Sequence, residues 1–318
     1  MDDDRHSVFR DAHSDTTTAR QVPDTPQSRS PTYRLAFTDE DFMCRDELRP
    51  VRLQLELLKP QLLLEERRIE STIVLFGGAR IPDPVNKHTA RTETLAGLSS
   101  YYEVAREFAR LMTLKALESD NREYVVATGG GPGVMEAGNR GAHEAGGISL
   151  GLSIVLPHEQ APNQYVTPEL SFNFHYFAIR KMHFLMRARA IGVFPGGFGT
   201  LDEMFESLTL IQTGRMQRVP FLLFGRAFWE RVINWQALAE AGSGAFGRML
   251  GMKVDTSQDV PDSLGKPIDE AGWSAVVDSG VIKYPLSARR LDATMPATVT
   301  GTWTSGARQD HAWVQVAL

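Results

Sequence analysis

The sequence predicts an α/β fold: a doubly wound parallel sheet preceded by a helical extension. Between residues 71 and 242, short and nearly continuous apolar runs alternate with stretches of helical spacing. Strands without polar alternation are expected where helices cover both faces of a sheet. Strand–helix alternation joins parallel strands through right-handed crossovers. Three of the apolar runs end in glycine clusters, the punctuation of a chain leaving a strand.

Residues 1–33 are rich in Asp, Ser, Thr, Arg and Pro, with sparse and aperiodic apolar residues. Such a segment cannot offset its ordering entropy and is expected as a disordered tail. Residues 34–70 form the helical extension. Leu48, Val51, Leu55 and Leu58 recur at helical spacing, Pro60 interrupts, and Leu62 to Leu64 resume. This pattern predicts two helical pieces with a break before Pro60, as an accessory layer or an oligomer contact. In the α/β domain, 71–242, strands are expected at 72–76, 124–127, 148–156, 191–194 and 219–224. Helices are expected at 94–117, 134–145, 174–189 and 201–212, with a last one through Phe228 and Trp235. Residues 243–318 show no clear period and stay unassigned.

The 318 residues contain enough apolar material for a sizeable core. A net charge of -5 argues against a nucleic acid or an anionic membrane as partner, since both want a basic face. A small anionic ligand needs only a few amides and one or two cations. Cys44 is the only cysteine, which excludes an intrachain disulfide and a cysteine-built zinc site. No apolar run reaches the ~18 residues that span a bilayer, and the opening Met-Asp-Asp-Asp lacks the apolar region of a secretory signal. The expected location is the cytoplasm.

Two glycine-rich loops stand out: Thr128-Gly129-Gly130-Gly131-Pro132-Gly133-Val134-Met135-Glu136 and Pro195-Gly196-Gly197-Phe198-Gly199-Thr200-Leu201-Asp202-Glu203. Each follows an apolar strand and opens a helix. In a parallel sheet both would lie at the carboxyl edge of the strands, where ligands bind. Free amides and the helix dipole there favour an anion, most often phosphate. The first loop misses the G-x-G-x-x-G dinucleotide pattern at its last position, and no G-x-x-x-x-G-K-[ST] run exists. Taken singly, each loop could equally be a tight strand-to-helix turn; a pair of them at one edge favours a ligand.

Thr200 and Glu203 have the spacing of a capping box, and on spacing alone the cap is the favoured reading. The alternative puts Thr200 on a phosphate and the Glu203 carboxylate in the cleft. Arg180, next to Lys181, lies off the apolar stripe Phe174, Ala178, Met182 and Leu185 but is flanked by Phe177 and Phe184. A buried arginine would need an anion; the competing reading is a solvated basic face running on to Arg187 and Arg189. Glu136 could favour the helix dipole or touch a ligand. His143, His158 and His175 show no metal-ligand spacing, Met182 and Met186 read as core rather than cofactor contacts, and Trp229 and Trp235 as core or interface residues.

At these positions the chain resembles the LONELY GUY-type phosphoribohydrolases, a family often labelled "lysine decarboxylase". The residues that carry the resemblance are the full PGGxGTxxE motif at 195–203, GGGPGVME at 129–136, and the Arg180-Lys181 pair. It covers roughly residues 57–238, and the N-terminal helical segment looks like that of the longer bacterial branch. It implies a Rossmann-like fold without a nicotinamide or other cofactor and without a metal. It implies cleavage of AMP, or of an N6-substituted AMP such as a cytokinin riboside monophosphate, to free base and ribose 5-phosphate. By motif position, Arg180 and Glu203 would be the catalytic pair, with Lys181 assisting. Gly130, Gly131, Gly133, Glu136, Gly196, Gly197, Gly199 and Thr200 would hold phosphate and ribose. The family usually forms homodimers. Beyond residue 242 the sequence leaves the family's pattern.

Cleavage of an N-glycosidic bond leaves positive charge on C1′ and O4′, which a carboxylate beneath the sugar can stabilise. The decarboxylase label would call for pyridoxal phosphate on a lysine, and neither glycine loop offers one. The competing function is a non-catalytic carrier of a phosphorylated cofactor such as molybdenum cofactor, which needs the loops but not the Arg180 and Glu203 pair.

Overall fold

The computed structural model describes residues 10–157, 161–235, 237–238, 298–303 and 312–317. The chain divides into two units, residues 1–59 and 60–318.

The first unit is a series of short helices. α1 (Ala12–Ala19) starts where the Asp11 carboxylate accepts from the Ser14 amide at 2.9 Å. α2 (Pro26–Arg29) has a reciprocal cap between Thr25 and Ser28, and α3 (Glu40–Met43) is capped by Asp39. Capped helices therefore stand in part of the segment expected as a disordered tail. Their side-chain caps satisfy local amides, but no described residue of 10–33 is buried. α4 (Arg49–Glu66) crosses the boundary between the units. It runs through Pro60, where the sequence predicted a break. Proline removes one backbone donor, and the flanking turns are built from Leu, Gln, Glu and Lys, which favour the helix.

The second unit is built on a sheet. β1 (Thr72–Phe76) leads through α5 (Glu93–Gly97) and α6 (Ser100–Glu118) to β2 (Val125–Thr128). α7 (Val134–Glu144), β3 (Ser149–Ile154), β4 (Ser171–Phe174), α8 (Phe177–Met186) and β5 (Ala188–Val193) follow. Then come α9 (Phe198–Gln212), β6 (Phe221–Leu223) and α10 (Arg226–Val232). Six parallel strands lie in the order β4-β3-β2-β1-β5-β6, confirming the doubly wound α/β class. β7 (Thr298–Trp303) and β8 (Ala312–Ala317), from the segment left unassigned, pair antiparallel with each other, and β8 extends the sheet beside β6.

β1 shows why its run is continuously apolar. Ile73 and Leu75 join one buried cluster with Phe108 and Met112 of α6 and Val134 and Ala137 of α7. Val74 and Phe76 join another with Phe184 of α8 and Met204 and Leu208 of α9. Both faces are covered, so both alternating sets are apolar.

Several element boundaries differ from expectation; the last helix, expected through Phe228 and Trp235, ends at Val232. The helix expected over 94–117 is broken at Leu98–Ser99, with Thr92 capping α5 through the Leu95 amide at 3.2 Å. The helix expected over 174–189 is instead the end of β4, α8 and the start of β5. In β4, Phe172 and Phe174 are buried while Asn173 is exposed, and the strand pairs with β3. Four residues are too few for a period of two to be separated from a helix start.

Candidate active site

The sheet reverses direction of winding between β1 and β5. β2, β3 and β4 follow outward on one side of β1, and β6 lies on the other side of β5. Such a switch point opens a crevice at the carboxyl ends of the strands. Both glycine loops leave strands at that edge, the first after β2 and the second after β5. Gly78, just after β1, links them. Its amide donates to the Pro195 carbonyl at 2.9 Å, and its carbonyl accepts from Val134 at 3.2 Å.

Each loop ends in a helix whose N-cap is a glycine without a side-chain cap: Gly133 for α7 and Gly197 for α9. Two sets of helix N-terminal amides thus face the same edge, and among the described residues no side chain caps either set, an arrangement suited to an anion. Gly133 has φ +69°, and a Cβ there would run into the Gly78 carbonyl and Ala79. Gly197 and Gly199 are different. They are exposed, and a Cβ on either would meet no atom within 4 Å.

The expected capping box is absent. α9 begins at Phe198, so Thr200 is already its third residue. The Thr200 side chain is buried against Gly196, where a Cβ would overlap it. With its cap role gone, the Glu203 carboxylate turns inward. Arg180 Nη1 donates to Glu203 Oε1 at 3.2 Å, with side-chain exposures of 9% and 14%. Burial pushes the Glu203 carboxyl up to about 7, and the charge and hydrogen bond of Arg180 oppose that rise.

Arg180 is buried, so the solvated basic face is excluded at this position. Its Nε donates to the Leu152 carbonyl of β3 at 2.6 Å, and its guanidinium carbon lies 4.9 Å from the centre of the Phe184 ring. A Cβ on Gly129 would stand 2.8 Å from Nη2, so the first glycine loop lies directly against the guanidinium. One side chain therefore joins β3, α8, α9 and the first loop.

The remaining expected residues divide. Gly130, Gly131 and Gly133 are buried in the first loop, and Gly196, Gly197, Gly199 and Thr200 form the second. Glu136, in the first turn of α7, accepts from the Tyr102 hydroxyl at 2.8 Å. Burial raises the pKa of that hydroxyl well above its ordinary value. Lys181 is not gathered with Arg180 and Glu203. Its ammonium pairs with Asp202 at 2.7 Å and Glu206 at 2.9 Å, on a groove of about 540 Å³ lined also by Phe198, Leu201 and Phe205. Burial lowers the Lys181 pKa, and these two carboxylates outweigh burial and hold it above the ordinary value. His158 lies outside the described residues. Among the described residues, no three His, Cys, Asp or Glu side chains gather to hold a metal, and no helix is long and apolar enough to cross a membrane.

Sequence reading missed Tyr102, Asn139 and Asn163. Tyr102 sits on the buried stripe of α6, where an aromatic reads as core. Asn163 lies in the connection between β3 and β4, and no fixed spacing ties it to the loop it contacts. Asn139 is wholly buried in α7; an asparagine inside an otherwise apolar helix face was the available signal.

Site and fold together define a Rossmann-like α/β protein with two glycine-capped helix N-termini at one sheet edge and a buried arginine–carboxylate pair. Residues 135–262 match the family model described as "Possible lysine decarboxylase", the family that the two glycine motifs resemble. No curated protein matches the chain. Among solved structures, the chain is similar to the structural-genomics target TM1055, with 28% identity, 44% of this chain and 69% of that one covered, and a TM-score of 0.33. It is also similar to a molybdenum cofactor binding protein from the phototrophic bacterium Rippkaea orientalis, with 19% identity, coverage of 55% and 86%, and a TM-score of 0.34. The Moco carrier protein from Chlamydomonas reinhardtii has 17% identity, coverage of 66% and 97%, and a TM-score of 0.37.

Proposed function

We infer that this protein binds a nucleoside 5′-monophosphate and hydrolyses its N-glycosidic bond, releasing the base and ribose 5-phosphate. AMP and N6-substituted AMP, including cytokinin riboside monophosphates, are the substrate class. The observation that carries this reading is the buried pair of Arg180 and Glu203 beside two glycine-capped helix N-termini. The amides of the two loops hold the 5′-phosphate, and binding energy there positions C1′ over the carboxylate. As the bond to the base stretches, positive charge develops on C1′ and O4′. Ionised Glu203 stabilises that charge and orients water for attack at C1′. Arg180 keeps Glu203 in place and favours its ionised form. Gly197 and Gly199 support the same reading, because the free space around them leaves close approach of a ligand as the reason for glycine. Lys181 acts from the neighbouring groove through Asp202 and Glu206. A cytoplasmic homodimer is the expected assembly, to be checked by sedimentation.

The test is release of base from AMP by purified protein without added cofactor, with adenosine as the phosphate-free control. Turnover of AMP far above that of adenosine is expected. Equal turnover of the two would remove the phosphate from the reading. Nucleotide binding without base release would leave a carrier of a phosphorylated group, such as molybdenum cofactor, as the function.

A further inference from the structure

The first glycine loop is held by a polar network that the reaction itself does not require. Asn163, from the β3–β4 connection, donates through its side-chain amide to the Gly130 carbonyl at 3.0 Å and the Gly131 carbonyl at 3.0 Å. Its backbone amide also donates to the Gly130 carbonyl at 2.7 Å. Ser153 reaches the third carbonyl, that of Gly129, at 3.4 Å. Behind Asn163 stands Asn139. Its Oδ1 accepts from Asn163 at 2.9 Å and from the Thr128 hydroxyl at 2.7 Å, while its amide donates to Ser149 and the Leu150 carbonyl. Thr128 in turn accepts from the Gly130 amide at 2.9 Å. Gly151 of β3 lets the connection lie close, since a Cβ there would overlap Val166 and stand 3.3 Å from Gly130 Cα.

The consequence is directional. A peptide unit presents either its N–H or its C=O to a ligand, and a carbonyl oxygen turned toward phosphate repels it. Here the carbonyls of Gly129, Gly130 and Gly131 are all engaged by side chains of β3 and the β3–β4 connection. Among the described residues, no acceptor meets the Gly131 and Gly133 amides.

We propose that Asn163 is a positioning residue for the anion site: by holding the Gly130 and Gly131 carbonyls to the β3–β4 connection, it makes the loop present N–H groups to the phosphate. This rests on the reading that the site takes a nucleoside 5′-monophosphate. Asn163 touches no reacting atom and acts only through the loop. It is partly buried and outside both apolar clusters, and a melting curve of each variant checks that the fold stands without it.

Calorimetric binding of AMP, ribose 5-phosphate and adenosine tests this with wild type, Asn163→Ala and Asn163→Gln. The Ala variant removes the side-chain donations to the Gly130 and Gly131 carbonyls together with the one to Asn139; the Gln variant keeps a donor amide one methylene further out. In the Ala variant, AMP and ribose 5-phosphate affinities are expected to fall about tenfold or more, which is ~1.4 kcal/mol, with adenosine affinity unchanged. KM for AMP should rise by about the same factor, with any fall in kcat smaller than the rise in KM, since the anchoring of the phosphate is what is weakened. Asn163→Gln should recover part of the affinity. Equal loss for adenosine and AMP, or a fall in kcat without a rise in KM, would show a merely structural role and overturn the proposal. Unchanged AMP affinity in Asn163→Ala would overturn it as well. A wild-type protein that binds neither phosphate compound would remove the nucleotide reading and this proposal together, so the two failures are told apart.

Discussion

At Glu203, burial raises the carboxyl to about 7 while Arg180 pulls the other way. Its ionised form is the one that can stabilise a cation at C1′, so turnover should rise with pH and level off above about 7. The sign follows from the shift: below the folded pKa the group is protonated and neutral, and at pH 5 about 1% is ionised. We expect kcat near pH 5 to be about 100-fold below the plateau, measured as a pH–rate profile. Glu203→Gln should lower kcat by roughly 10²-fold or more and lose that acid limb. Arg180→Ala should be similarly inactive, and the double variant little worse than either single, because the pair acts as a unit. Near-wild-type turnover of Glu203→Gln would end the catalytic assignment. Both residues were legible as candidates from the nine-residue motif and the upstream Arg-Lys pair. Their contact was not. Thr200-x-x-Glu203 fits a cap in one dimension, and only the start of α9 at Phe198 moves Thr200 past the cap position.

Between the elements, the glycines fall into two groups that sequence cannot separate. Gly133 serves the backbone itself, with φ +69° and the Gly78 carbonyl where a Cβ would go. Gly133→Ala should destabilise the fold by at least ~2 kcal/mol, seen as a lower Tm whether or not nucleotide is present. Gly199 lies within α9 with open space around it. Gly199→Ala should leave Tm unchanged or slightly raised, because alanine is the better helix former. The same substitution should weaken AMP binding. Weaker stability with full AMP affinity in Gly199→Ala would show that the absence of a side chain at this position serves the chain and not the ligand. The strands that sequence could locate are those buried on both faces. β4 escaped because it is four residues long and its outward residues are polar.

For the whole molecule, the helices in 10–33 are held by local caps and bury nothing. Removal of residues 1–33 should leave Tm and AMP turnover unchanged, as scanning calorimetry and a base-release assay would read; a large fall in either would show that the segment is part of the body. The α/β class and the two glycine-rich loops between strand and helix were determined by the sequence by itself, since apolar periodicity and glycine at strand ends act over a few neighbouring residues. Tertiary structure alone decided that Arg180 meets Glu203 across 23 positions, that Lys181 faces other carboxylates, and that Asn163 holds a loop 33 positions earlier. Those pairings depend on the strand order 4-3-2-1-5-6 and on the switch between β1 and β5. A local pattern carries no record of which distant strands will lie side by side, because that choice is made by burial of the two sheet faces together.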